Sequence, residues 1–263
     1  ISVNFLERYN MLKLLTFFMV VSLCMASAIA DPKGEAVARK IQQLNEGYLG
    51  EKAQMQMLLY DAQDNVVKRQ MGFISKEILG SGKKSLMEFT VPNDVKGTKL
   101  LTWTDKDKDD SQWLYLKSLR RVKRIISRSK RSSFMGSEFS YEDFGSQRAE
   151  KYTHNLIEEN DKTWVLEKFP KDKDSGYSKQ ILWIEKEGTK TTKVHYYDLK
   201  KKLYKEANFS GHKTFTVNGK SFTRPSKALM KNLITRKKSE VIWDKWEVGI
   251  DNSSSKFQPG KLK

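Results

Sequence analysis

The chain has 263 residues, 38% of them apolar, and a formal net charge of +17. That length fits one large β-rich domain or two small ones, and the apolar share supports a lean core. The single cysteine excludes an internal disulfide framework, while the charge alone admits nucleic acid, an anionic membrane surface or acidic proteins as partners.

The leader narrows that choice. From Met11, Lys13 supplies a positive start, residues 14–25 an apolar run, and Ala28-Ile29-Ala30 a small-x-small cleavage site. Residues 11–30 therefore read as a signal peptide cleaved after Ala30, with residues 1–10 as an overcalled gene start. The alternative is an N-terminal membrane anchor, but the run is short against the ~20 residues a span needs. A lipidated form is disfavoured because Leu23 stands before Cys24. Cleavage removes Cys24 and leaves no thiol for a disulfide or metal site. Export to a periplasm also argues against nucleic acid.

The mature chain, residues 31–263, shows no tandem repeat or dividing linker and is expected to form one domain. Residues 31–48 predict a helix with a partial stripe of Ala36, Ile41, Leu44 and Tyr48. Strands are expected over residues 53–60 and 66–78, then 83–91 and 97–104 around Pro92-Asn93-Asp94. Residues 113–116 and 122–127 follow, the second inside a basic stretch at 117–131. Residues 134–144 read as a short helix or two turns, where the charge sign flips and aromatics crowd. Further short strands are expected at 152–158, 163–169, 179–185, 192–197, 203–209 and 213–217. Such spacing argues for an antiparallel sandwich or barrel rather than a βαβ fold. Residues 225–240 fit either a helix or a hairpin, and the Ser-rich tail at 251–263 is expected to be loosely held.

Catalytic patterns are thin. His154, His195 and His212 are expected in different strands and form no HxxxH or HExxH spacing. In a strand, the neighbours Glu158-Glu159 and Glu142-Asp143 would point to opposite faces and form no dyad. Ser133, Ser137 and Ser140 lack a GxSxG context. Gly80-Ser81-Gly82-Lys83-Lys84 only faintly echoes a phosphate loop. No nucleophile–base set emerges, so the expectation is no enzyme, no cofactor and no metal.

Two features invite binding roles. Arg120, Arg121, Lys123 and Arg124 either form a solvent face or dock an anionic lipid surface or acidic partner. The aromatics, Phe134, Phe139, Tyr141 and Phe144 among them, either fill an ordinary sandwich core or plug a concave sheet around an apolar cavity.

Family resemblance enters at YLKSLRRVKRI (115–125) and SFMGSEFSYEDF (133–144). These closely resemble the signature of LolA-like outer-membrane lipoprotein-sorting proteins, in the broad branch often found beside RND-type exporters. ILWIE (181–185), KVHYYD (193–198) and Phe257-Gln258-Pro259 with Leu262 fit in the same order. The resemblance implies a mainly β, α+β fold: an incomplete antiparallel β-barrel covered by an N-terminal helix and a short central helical segment. It favours the hairpin at 225–240. It implies a periplasmic, non-enzymatic carrier that shields the acyl chains of a lipoprotein or lipid on the way to the outer membrane. An inner-membrane RND-type or ABC-type transporter is the implied partner. The alternative is an accessory protein docking to an RND-type exporter. Met57, Leu59, Trp103, Phe134, Phe139, Tyr141 and Phe144 are the expected cavity and lid residues.

Overall fold

The computed structural model describes residues 31–263; the expected signal peptide lies outside them. The first element is helix α1 (Pro32–Leu44). Asp31 caps it by accepting from the N–H groups of Lys33 and Gly34, and Pro32 takes the first turn, where no N–H is needed. The helix stops short of Tyr48 because the Asn45 side chain bonds back to the Ile41 carbonyl at 2.9 Å.

Strands follow: β1 (Gly50–Tyr60), β2 (Val66–Ile78), β3 (Gly82–Val91), β4 (Lys99–Trp103), β5 (Ser111–Leu116) and β6 (Arg121–Ile125). A connection over residues 126–151 leads to β7 (Tyr152–Glu159), β8 (Thr163–Pro170), β9 (Lys179–Glu185), β10 (Lys190–Tyr197) and β11 (Leu203–Ser210). The last are β12 (Lys213–Val217), β13 (Lys220–Arg224), β14 (Lys227–Asn232) and β15 (Lys238–Val248). Residues 225–240 thus supply β14, the turn and the start of β15, as a hairpin. Strand β13 had no expectation from sequence. His212 sits in the turn between β11 and β12 rather than in a strand.

Thirteen strands form one antiparallel sheet in the order β6-β5-β4-β3-β2-β1-β15-β14-β11-β10-β9-β8-β7, while β12 and β13 pair separately. The first and last strands meet in the middle, so β6 and β7 are left as edges and the sheet curls without closing. Those edges are consecutive in sequence, and residues 126–151 bridge them.

Each edge is protected differently. Strand β7 lies under α1: Glu35 accepts the His154 N–H at 2.9 Å and Asp31 the Leu156 N–H at 2.9 Å. Alternate residues of a strand present N–H groups to the same side, and two carboxylates four residues apart on a helix can meet them. Gly34 permits the approach; a Cβ there would lie 2.7 Å from the Leu156 nitrogen. Strand β6 is uncovered and carries exposed Arg121, Lys123 and Arg124, charges that discourage edge-to-edge pairing.

The tail is not loosely held. Phe257 and Leu262 are buried with Leu101 and Tyr115 on the outer face of β4 and β5, and the Trp103 indole donates to the Phe257 carbonyl at 2.9 Å. Two large apolar side chains are enough to dock a polar segment whose composition suggests disorder.

Candidate functional site

The inner face of the curled sheet is divided. Strand register places Met55 and Met57 beside Met71, which faces Phe89 on β3. These, with Met87, Leu100 and Leu114, form an apolar half toward the β1–β2 turn. The same parity continued toward the other end gives Glu51, Ser75, Glu77, Lys83, Ser85 and Thr102.

The bridging segment fills the apolar half. Phe134 is fully buried and stacks edge-on against Tyr141 (5.4 Å) and Phe144 (4.8 Å), with Phe89 at 5.8 Å. Met135 and Gly136 take positive φ (51° and 75°), which folds the chain back so that the Phe134 N–H donates to the Phe139 carbonyl at 2.8 Å. Three strands pin the loop: Lys205 Nζ to the Glu138 carbonyl (2.7 Å), Asn232 Nδ2 to Glu138 (2.8 Å), and the Glu138 N–H to Ser239 (2.9 Å). Asp143 accepts from the Ser140 N–H (2.6 Å) and the Tyr177 hydroxyl (2.8 Å), and burial raises its pKa. Burial likewise raises the pKa of Glu142, which turns to Ser175 and Gly176 instead. The two acids are therefore separately held and form no dyad.

The polar half is hollow. A cavity of about 580 Å³ lies beneath α1, within the size range of ligand sites. One wall is polar: Glu51, Glu77, Lys83 and Thr104. Across from it, Leu166, Leu182, Ile184, Val194 and Phe209 give an apolar wall, roofed by Ala38 and Ile41 of α1. Lys168 and Gln180 lie at its inner end, with Arg224 from β13 and Asn45 also lining it. Lys168 is buried, donates to Gln147 at 2.6 Å, and its ammonium lies 4.1 Å over the Tyr152 ring. Burial pushes its pKa down to about 8.

Six of the seven expected cavity residues come together: Met57, Leu59, Phe134, Phe139, Tyr141 and Phe144 share one apolar cluster. They build the filled half, and none lines the hollow. Trp103 lies apart on the outer face, edge-on to Trp113 at 5.0 Å. Arg120, Arg121, Lys123 and Arg124 are exposed on and beside edge strand β6. The polar wall was not anticipated. Its signal was present: Glu51 is in phase with Ala53, Met55 and Met57, and Lys83 with Met87 and Phe89.

Among the described residues no helix is long and apolar enough to cross a membrane, and no group of three His, Cys, Asp or Glu could hold a metal.

An unclosed antiparallel sheet, a roofing helix and a bridging plug define the LolA-like α+β class. A Nitrosomonas europaea LolA superfamily protein shares that fold at 18% identity and TM-score 0.64, over 86% of this chain and 97% of its own. Nearer structures are a Vibrio parahaemolyticus domain named for outer membrane lipoprotein sorting and a DUF1329 family protein from Desulfovibrio piger. The first is 37% identical (TM-score 0.83) and the second 26% (TM-score 0.80); each match covers 88% of this chain and 98% of the other. A family profile described as an uncharacterized protein matches residues 81–263, and no curated protein matches. The chain belongs to the LolA-like family.

Proposed function

We propose that the protein is a non-enzymatic periplasmic carrier that holds the acyl portion of a lipoprotein or lipid in the cavity beneath α1 during transfer toward the outer membrane. The observation that carries this reading is the cavity of about 580 Å³ beneath α1, with the apolar residues Leu166, Leu182, Ile184, Val194 and Phe209 in its wall. Each buried methylene is worth ~0.8 kcal/mol, so an acyl chain does not cross water unaided. Residues 31–263 act as one domain in this reading, and residues 11–30 as its export signal. Helix α1 is the lid, because the cavity lies between it and the sheet. Its polar ties run mainly to β7 and to the residues before that strand, so it can lift as one piece when they break. Uptake of a fluorescent fatty acid by the delipidated protein tests the proposal. Saturable uptake, lost when α1 is tethered shut by a disulfide to β7, supports it; no uptake contradicts it.

A second role fits the other edge. The exposed cations of β6 beside exposed Leu119 and Ile126 suit docking to an acidic face of an RND-type or ABC-type transporter, or to anionic lipid.

A further inference from the structure

Lys83 is half-buried and lines the cavity, yet its ammonium makes no hydrogen bond and no ion pair with any described residue. Its cross-strand neighbour on the same face is Glu77, the expected partner. Glu77 instead accepts the N–H groups of Gly47 (2.9 Å) and Leu49 (3.1 Å), which connect α1 to β1. Glu51, the next acid, accepts the Trp246 indole N–H at 2.8 Å. Burial lowers the Lys83 pKa; the charges of Glu51 and Asp110 oppose that shift, and Arg224 adds to it.

Arg224 is the second cation here. Its guanidinium lies over the Tyr48 and Phe222 rings at 5.3 and 5.7 Å and donates to Asn45 and to the Thr223 carbonyl, never to a carboxylate. A guanidinium has five N–H donors, so donors remain for a guest. The other acids lining the cavity are also held by protein donors, Glu46 by Arg148 at 2.6 Å and Asp143 by Ser140 and Tyr177. Lys83 and Arg224 are not paired, and both line the same cavity, which also carries the apolar wall. A half-buried cation without a counter-charge bears part of the cost of leaving water, and an anionic ligand relieves that cost.

We propose that the cavity selects an amphiphile with an anionic group, a phosphate or carboxylate seated between Lys83 and Arg224, its chain lying along Leu182, Val194 and Phe209 beneath α1. This rests on the carrier reading and names its substrate class. The charged wall orients the guest and the apolar wall holds it.

The test compares Kd values of the delipidated protein for dodecyl phosphate, dodecanoate, dodecanol and inorganic phosphate. The two anionic amphiphiles are expected to bind at least about tenfold tighter than dodecanol, the scale of a charge-assisted contact. Inorganic phosphate alone is expected not to bind. Lys83→Met, which leaves Arg224 in place, should reduce the preference severalfold, and Lys83→Arg should keep it. Equal affinity for all three amphiphiles, or an undiminished preference in Lys83→Met, overturns the inference and leaves the carrier reading standing. Inorganic phosphate binding as tightly as dodecyl phosphate also overturns it, in favour of a free-anion site. No binding of any amphiphile sinks the carrier reading itself. The wild-type comparison needs no variant, so the inference remains testable if Lys83→Met does not fold.

Discussion

The two halves of the interior are built from the same strands and differ in what their in-phase positions hold. Toward the β1–β2 turn the inward residues of β1 to β5 are mostly Met, Phe and Leu, and the bridging segment inserts Phe134 among them, with Arg69 donating to the Met135 carbonyl of that segment. Toward the other end the inward residues of those strands include Glu51, Glu77 and Lys83, with Thr104 just past β4, and the aromatics of the bridging segment do not reach there. Apolar side chains close-pack and leave no room, whereas charged ones keep their distance from an apolar wall. One half therefore serves stability and the other keeps space.

Substitutions sharpen that contrast. Phe134→Ala should have the largest effect, about 3–5 kcal/mol in urea unfolding, because a fully enclosed ring leaves a void. Leu182→Ala, on the cavity wall, should cost only about 1 kcal/mol, since its side chain already borders empty space. Equal losses would erase the distinction between halves.

Lys168→Met should stabilise the protein, by up to about 3 kcal/mol at neutral pH, as an apolar isostere replaces an ammonium kept charged in the interior. The unfolded chain holds this proton up to the ordinary lysine value of 10.5, and the fold releases it near 8. Unfolding takes up a proton between those values, so wild-type stability should rise with pH there. Equilibrium unfolding from pH 7 to 10 checks both points; the rise should be smaller in Lys168→Met, where Lys83, also lowered by burial, still contributes.

Gly34→Ala should destabilise by about 1–3 kcal/mol through its clash with the β7 backbone, although alanine is the better helix former by ~1 kcal/mol. Faster amide exchange at His154 and Leu156 would report the lifted helix. A stabilised variant would mean that α1 does not press on β7. The smallest effect belongs to the β6 edge. Replacing Arg120, Arg121, Lys123 and Arg124 with Gln should change stability by no more than about 0.5 kcal/mol, while weakening binding to anionic liposomes or transporter if the edge docks.

Much of this was legible in the sequence. Alternation at the start of β1 and the Gly, Asn, Asp and charge clusters that bound the later short strands marked most of the sheet, and two motifs around residues 115–144 pointed to the family. What escaped was tertiary. Phe257 and Leu262 anchor the tail only because an apolar patch of β4 and β5 awaits them. In Leu100-Leu101-Thr102-Trp103 both faces are apolar, so strand parity could not place Trp103 outside. Lys220-Ser221-Phe222-Thr223-Arg224 looks like a loop until Phe222 packs on Tyr48, where the rings lie 6.4 Å apart. The aromatic-rich segment was legible as a plug, but which half it fills depends on Met71 and Phe89 meeting across strands.

Native mass spectrometry of protein purified from the cell envelope tests the central claim most directly. The account predicts adducts in the mass range of acyl lipids, released when organic solvent unfolds the chain. A clean apo mass from freshly isolated protein, with no uptake when acyl lipid is offered back, would contradict it.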